Sequence, residues 1–245
     1  MGLLDFLKKI PTANELTGGF GEWLTKVHSK SMTDALVLHD ILIDGADGYT
    51  SQIDLILIEN KGVFVIEVKT FADAKIYGNT KKTNWYYYKG GKKYEIYSPL
   101  KQNKKHVDYL KDFLKDFGDV PVFSIITMIC EDFKINGGFD GKTAVCSSLP
   151  TMKKALDILS KDKPVFFDDN KKQQVFNFIK NNQHIGKNER IEHKKNVIEY
   201  KNNLEKMKSE KICPYCKTEL VLRSGKNGSF YGCKNYPKCR YTLKK

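Results

Sequence analysis

Two stretches of this chain are apolar on both faces, Ser51–Ile58 (SQIDLILI) and Val63–Lys69 (VFVIEVK). Strands covered on both sides of a sheet read as near-continuous runs of Ile, Leu, Val and Phe, so these two are expected to be central. Asn60, Lys61 and Gly62 between them predict a tight hairpin connection. Ala35–Ile43 (ALVLHDILI) predicts a strand before them, with a turn at GADGYT. Shorter aromatic pieces, Ala74–Tyr77, Trp85–Tyr88 and Tyr94–Tyr97, follow, the last two separated by the turn-like KGGKK. Pro99 predicts a helix start, with Leu100, Val107, Leu110, Leu114 and Phe117 near one face. Val120–Cys130 and Lys142–Cys146 predict two more strands, and segments 151–160 and 171–181 two more helices. Upstream, Gly18, Gly19 and Gly21 mark a loop leading into a helix that contains Glu22 and Trp23.

The order of elements is mixed, with an antiparallel hairpin and helices around one sheet. That predicts an α/β (α+β mixed) body with a central mixed sheet flanked by helices. Residues 187–210 are charged, with a thin apolar stripe at Ile191, Val197, Ile198 and Leu204, and predict a helical spacer after Gly186. The expected organisation is an N-terminal amphipathic segment over 1–14, a body over 15–183, a charged linker over 184–210 and a small module over 211–245.

Composition changes the picture in one respect. Of 245 residues, 42 are basic and 29 acidic, a formal charge of +13. Residues 171–245 hold 19 of those basic and 6 of those acidic residues, leaving 23 of each before them. A neutral body with a basic tail is the asymmetry of a nucleic-acid-binding appendage; the alternative is a solvated lysine-rich helix. No apolar run approaches the roughly 20 residues of a membrane helix. The opening MGLLDFLKKI lacks the long apolar core of a signal peptide, so a cytoplasmic protein without membrane attachment is expected.

The tail carries Cys213-x2-Cys216-x16-Cys233-x5-Cys239. Four thiolates at such spacing can close a tetrahedron around Zn²⁺. The polar segment between the pairs is too short to build its own core, so the module is expected to fold only with metal. Paired disulfides would require an oxidising compartment, and redox work by one pair would leave the other unexplained. Cys130 and Cys146 stand in apolar strand-like runs and read as buried small hydrophobes.

The remaining chemistry lies on the central hairpin. Asp54 is the one charged side chain in its strand, and Glu67 and Lys69 interrupt the next. Period-two alternation puts Glu67 and Lys69 on one face. With a two-residue loop, Glu59 pairs with Gly62 and the register sets Asp54 opposite Glu67. Opposed carboxylates stand about 4.5–5.5 Å apart at Cβ and repel, a penalty that a hard divalent cation between them converts into a binding site. The alternative is a salt-bridge cluster of the two acids with Lys69.

This arrangement resembles the core of the PD-(D/E)xK nucleases, and more narrowly the nuclease-related domain called NERD, a restriction-endonuclease-like fold. The matching residues are Gly21-Glu22, Leu38-His39-Asp40, Gln52-Ile53-Asp54, Gly62–Lys69, Trp85, and Pro99-Leu100-x-Gln102 followed by His106. The segment CPYCKTELVLRSGKNGSFYGCKNYPKCRYT resembles the zinc finger repeated at the end of type IA DNA topoisomerases, where such modules bind single-stranded DNA. The resemblance implies a metal-dependent phosphodiesterase. Asp54 and Glu67, with the Val68 carbonyl, would hold one or two Mg²⁺ or Mn²⁺ ions. Lys69 would position the attacking water or stabilise charge on phosphate. Glu22 would be a further ligand, and Gln102 would orient the Lys69 end of the site or the substrate backbone. His39 and His106 are not needed by that scheme and read as core or surface histidines.

In the tail, Phe230, Tyr231, Tyr236 and Tyr241 lie among Arg223, Lys226, Lys234, Lys238 and Arg240. Aromatic faces stack on unpaired bases while cations follow phosphates. Some of these aromatics are also expected to form a miniature core. The expected function is a metal-dependent DNA nuclease gripping single-stranded DNA through a zinc ribbon. The alternatives are a non-catalytic nucleic-acid-binding scaffold or an RNA-processing nuclease. The sequence leaves oligomeric state open.

Overall fold

The computed structural model describes residues 35–45, 49–225 and 228–244. The expected loop and helix around Glu22, and the N-terminal amphipathic segment, lie outside the described residues. The chain divides into two compact units, one ending at Ile185 and the other comprising Gly186–Lys245.

The first unit is built on a seven-stranded mixed sheet. Strands β1 (Leu36–Asp44), β2 (Thr50–Glu59) and β3 (Gly62–Asn79) form an antiparallel meander. On its other edge β3 pairs in parallel with β6 (Val122–Asn136), which pairs in parallel with β7 (Thr143–Cys146). Helix α1 (Pro99–Phe113) makes the return connection into β6, and α2 (Leu149–Ser160) and α3 (Asp169–Asn182) follow β7.

The separate aromatic pieces predicted after Lys69 belong to longer elements. Ala74–Tyr77 is the continuation of β3, which runs 18 residues. Its second half pairs with β4 (Asn84–Lys89), which pairs with β5 (Lys92–Tyr97). An irregularity between Phe71 and Lys75, with Asp73 at φ 57°, bends β3 between its two halves. The sequence pattern hid this continuity because polar residues interrupt the apolar run at the bend.

Both faces of the central strands are covered, which is why they are apolar throughout. Ile56, Ile58, Val63 and Val65 pack with Tyr109 and Leu110 of α1 and Val175 and Ile179 of α3. Leu55, Leu57, Phe64 and Ile66 pack on the other face with Met152, Leu156 and Leu159 of α2. Each fully buried side chain of this size contributes about 1.5–3 kcal/mol relative to exposure.

The hairpin tip is clamped as well. Glu59 pairs with Gly62, as a two-residue loop requires. The Asn60 carbonyl accepts from the Phe166 and Phe167 N–H groups at 2.8 Å each, and its side-chain oxygen accepts from the buried Lys172 ammonium at 2.8 Å. Gly62 adopts φ 145°, and a Cβ there would stand 2.5 Å from the Pro121 carbonyl oxygen. Only glycine tolerates both conditions.

In the second unit, α4 (Lys187–Ser209) buries no residue, and its stripe residues Ile191, Val197 and Ile198 are exposed. It precedes a three-stranded antiparallel sheet of β8 (Leu220–Gly225), β9 (Gly228–Cys233) and β10 (Thr242–Lys244). No helix among the described residues is long and apolar enough to cross a membrane.

Candidate functional site

The predicted register holds from the hairpin tip and stops one pair short of the acids. Listing outward from the tip, β2 and β3 pair as far as Leu55 with Ile66, and there the main-chain ladder ends. The next donor on that edge, the Val68 N–H, gives its hydrogen bond at 2.8 Å to the Asp54 carboxylate. Beyond it β3 finds β4 as a partner only at Lys75. The result is a notch in the sheet edge between Ile66 and Lys75, into which Asp54 and the Val68 backbone face. A strand residue directs its N–H and C=O to the same edge, so the Val68 carbonyl is aimed at the notch too.

A second irregularity lies alongside. On β1, His39 pairs with Leu55 and Ile41 with Ile53, while Asp40 between them has φ 54°. Gln52 Nε2 donates to Asp40 Oδ1 at 2.6 Å. Both neighbours of β2 thus break regularity beside Asp54.

Glu67 is 1% exposed. Lys69 Nζ reaches its Oε1 at 2.5 Å, and His106 Nε2 lies 3.2 Å from its Oε2. Among the described residues, Oε2 has this His106 contact and no other polar partner. Burial alone would raise the Glu67 pKa. The His106 ring and the Lys69 ammonium outweigh it and hold the carboxyl below its ordinary value.

His106 is the residue that sequence reasoning set aside. It is 8% exposed, and its Nδ1 stands 2.5 Å from the Ser51 hydroxyl. Nδ1 accepts from Ser51 when the ring proton sits on Nε2, facing Glu67. Gln102, one turn earlier on α1, brings its amide nitrogen within 3.5 Å of His106 Nε2. Asn103 is buried beside it, donating to the Val65 carbonyl at 2.9 Å and the Ser124 hydroxyl at 2.9 Å. The available signal was helical spacing: Asn103, His106 and Leu110 fall on the buried stripe of α1, where a polar residue must find a partner. His39 is exposed.

These residues suit a hard divalent cation. The Asp54 carboxylate and the Val68 backbone face the notch and Glu67 is the residue before Val68 on β3, which offers oxygen donors of the kind such a cation takes. Glu22 lies outside the described residues.

The four cysteines of the second unit do come together, their sulfurs all within 4.8 Å of one another. Cys213 and Cys239 are 3.6 Å apart, and Cys216 and Cys233 3.3 Å. A Zn–S bond of about 2.3 Å in a tetrahedron places sulfurs about 3.8 Å apart, so the cluster fits Zn²⁺. The Cys216 thiol is lowered to about 6, chiefly by the Thr218 hydroxyl and N–H, while burial pushes Cys233 up to about 12. Four neighbouring thiols do not all ionise unaided; a bound dication supplies the missing charge.

Around that cluster the aromatics divide. Tyr231 and Tyr241 pack against buried Cys213, Leu220 and Cys233 and serve as the module's core. Tyr236 is 60% exposed, and Phe230 is half-buried. Arg223 lies over the Tyr236 ring at 5.7 Å and donates to the Cys233 carbonyl at 3.3 Å, which ties it to the ribbon's own structure. Lys234 pairs with Glu219 at 3.4 Å, whereas Lys238 and Arg240 are exposed. Lys226 lies outside the described residues. Tyr215, inside the first cysteine pair, is 68% exposed and stands edge-on to Tyr241; the sequence reading passed over it.

Comparison with known proteins agrees with this division. Residues 17–129 match the family described as nuclease-related domain, and residues 210–245 match the topoisomerase DNA binding C4 zinc finger. An uncharacterized protein of Bacillus anthracis is 38% identical over 84 residues, 34% of this chain and 38% of that protein. DNA topoisomerase 1 of Methanocaldococcus jannaschii is 51% identical over 39 residues, 16% of this chain but 5% of the enzyme. The uncharacterized YrdD of Escherichia coli is 51% identical over 35 residues, 14% of this chain and 19% of that protein. The chain therefore spans well under half the length of each. Among solved structures, the small subunit of a heterodimeric restriction endonuclease aligns at TM-score 0.32 and 13% identity, over 74% of this chain and 98% of that one.

Proposed function

With a nuclease-related domain and a topoisomerase-type C4 zinc ribbon in one chain, we propose that the protein is a metal-dependent nuclease that hydrolyses DNA phosphodiester bonds at the Asp54–Glu67 notch. The observation that carries this reading is the end of the β2–β3 ladder at Leu55 and Ile66, beyond which the Asp54 carboxylate takes the Val68 N–H and Lys69 pairs with buried Glu67. The runner-up is a non-catalytic nucleic-acid-binding scaffold; a salt-bridge cluster of the acids with Lys69 would leave unexplained why the sheet opens beside Asp54.

Asp54, Glu67 and the Val68 carbonyl would hold Mg²⁺ or Mn²⁺, with Glu22 as a further ligand. A cation there supplies Lewis acidity toward the scissile phosphate and a more acidic bound water. Lys69, 25% exposed at its side chain, is the group that faces both Glu67 and incoming substrate; it orients the attacking water or stabilises charge on phosphate. His106 holds Glu67 from behind, with Ser51 fixing the ring. Such outer partners of a ligating carboxylate typically change metal affinity or activity by about 10–100-fold. The ribbon, its sulfurs closed on Zn²⁺, holds DNA through exposed Tyr236, Lys238 and Arg240, with Tyr215 beside them. Single-stranded DNA is favoured, because exposed rings stack on unpaired bases. The expected compartment is the cytoplasm, where unpaired thiols persist.

The test is cleavage of circular single- and double-stranded DNA with Mg²⁺ or Mn²⁺, beside an Asp54→Ala control and a matched RNA. Nicking lost in Asp54→Ala supports the reading. Tight binding without cleavage by the wild type on any substrate turns it into a scaffold, and cleavage surviving in Asp54→Ala puts the chemistry elsewhere.

A further inference from the structure

The extension made by the second half of β3 with β4 and β5 has one face that the notch does not use. Along β4, Trp85 and Tyr87 alternate with Tyr86 and Tyr88. Trp85 is fully buried and its indole N–H donates to the Asn79 carbonyl at 3.0 Å. Gly78 leaves room for that ring, since a Cβ there would stand 2.6 Å from it. Trp85 and Ile76 share a cluster with Ile126 and Met128, the cross-strand neighbours of Glu67 and Lys69. The opposite face carries Tyr77, Tyr86 and Tyr88, which the register sets side by side: Tyr77 pairs with Tyr86 and Lys75 with Tyr88.

These three rings remain 45%, 38% and 42% exposed although they sit in a folded sheet. With Lys75 and Lys93 they line a shallow open depression of about 530 Å³. Tyr77 and Tyr88 stand edge to face at 5.6 Å, and Lys93 lies 3.9 Å over the Tyr86 ring. Lys75 is steadied by Glu131 at 3.1 Å. Charge singles out the same segment. Residues 74–97 contain six lysines and one acid, Glu95, within a stretch of 170 residues whose charges sum to zero. The remainder of that stretch is therefore net acidic, and this extension is its basic region. Six of the chain's 13 tyrosines also fall in these 24 residues.

Flat rings presented on a sheet, framed by cations and open to solvent, suit a chain of unpaired bases joined by phosphates. A duplex hides its base faces, and an apolar protein partner would gain nothing from the surplus of lysines. We infer that the Tyr77–Tyr86–Tyr88 face of this extension is a second binding surface for single-stranded nucleic acid, separate from the zinc ribbon and on the opposite side of the sheet from Glu67.

The test uses the full zinc-loaded chain and a fluorescent single-stranded oligothymidylate bearing 5-iodouracil. Photo-crosslinked peptides are mapped by mass spectrometry, and affinity is read by anisotropy. Adducts on the peptide containing Tyr86 and Tyr88 are expected. The double variant Tyr77→Ala/Tyr86→Ala is expected to bind about tenfold or more weakly, as loss of base stacking does, with ribbon adducts retained. Lys93→Glu, an exposed change that leaves the rings in place, is expected to weaken binding several-fold and serves if the double variant does not fold by circular dichroism. A matched oligouridylate separates RNA from DNA as the natural strand. Adducts confined to the ribbon with unchanged affinity in Lys93→Glu overturn this surface but leave the ribbon reading intact. Absence of adducts anywhere overturns both, and an equal loss for duplex DNA overturns the preference for single strands.

Discussion

The sheet unit and the ribbon hold themselves together by opposite means. The first buries Ile, Leu, Val and Phe on both faces of its central strands, so its stability is spread over many contacts. The second buries chiefly Cys213, Leu220 and Cys233, and its stability is concentrated in four sulfurs. The difference teaches where each unit can place function. A deep core supports a sheet that opens locally at Asp54 and tolerates a buried, charged Glu67. A ribbon with almost no core leaves most of its side chains at the surface, free for a partner.

The largest effect that would sharpen this contrast is metal removal. Structural Zn²⁺ supplies about 10–16 kcal/mol in small zinc modules. Cys233→Ser, or a strong chelator, is expected to unfold residues 211–245 while the sheet unit keeps its far-ultraviolet dichroism. Limited proteolysis reads this directly: cleavage confined to the tail supports the contrast, and simultaneous digestion of the sheet unit breaks it.

Next in size is Phe64→Ala, which truncates a fully buried ring stacked on Phe123 at 4.9 Å. A loss of about 3–5 kcal/mol is expected in urea unfolding of the sheet unit, with zinc content unchanged. A drop in bound zinc would show that the two units are not independent.

A smaller effect is expected at His106. His106→Ala removes the ring between Ser51 and Glu67 and should lower Mg²⁺-dependent cleavage about 10–100-fold. If the ring only filled space, His106→Phe would restore activity; if it positions Glu67, His106→Phe fails and His106→Gln recovers part. The pH profile of cleavage should change with the loss of the ring, which a purely structural role would not produce.

The smallest is a pH effect on stability. The folded Glu67 pKa lies below its ordinary 4.5, so its carboxylate stabilises the fold fully above that value. The contribution is lost as pH falls through the lower folded pKa. Urea midpoints in Mg²⁺-free buffer should therefore fall on acidification more steeply for the wild type than for Glu67→Gln. Parallel acid profiles would show that Lys69 and His106 do not favour the Glu67 carboxylate.

Much of the site was legible because its parts are local. A two-residue hairpin suffices to count from Glu59 and Gly62 to Leu55 and Ile66, the pair next to Asp54 and Glu67. Cysteine spacing sufficed for the ribbon, since two short loops bring the pairs together by themselves. The continuous course of β3 was not legible, because Lys69–Asp73 looks like the end of a strand when only local polarity is considered. His106 was not legible for a related reason. Its value depends on α1 packing its Asn103–His106–Leu110 stripe on β2 and β3, contacts 38 or more residues apart in sequence.

The sequence by itself therefore determined the hairpin, the basic tail and the four-sulfur cluster, each a matter of spacing along one or two neighbouring segments. Only the tertiary structure decided that the sheet parts beside Asp54, that His106 stands behind Glu67, and that three tyrosines share one open face. Those features arise where distant strands and a helix meet, and long-range packing sets such meetings where local pattern cannot.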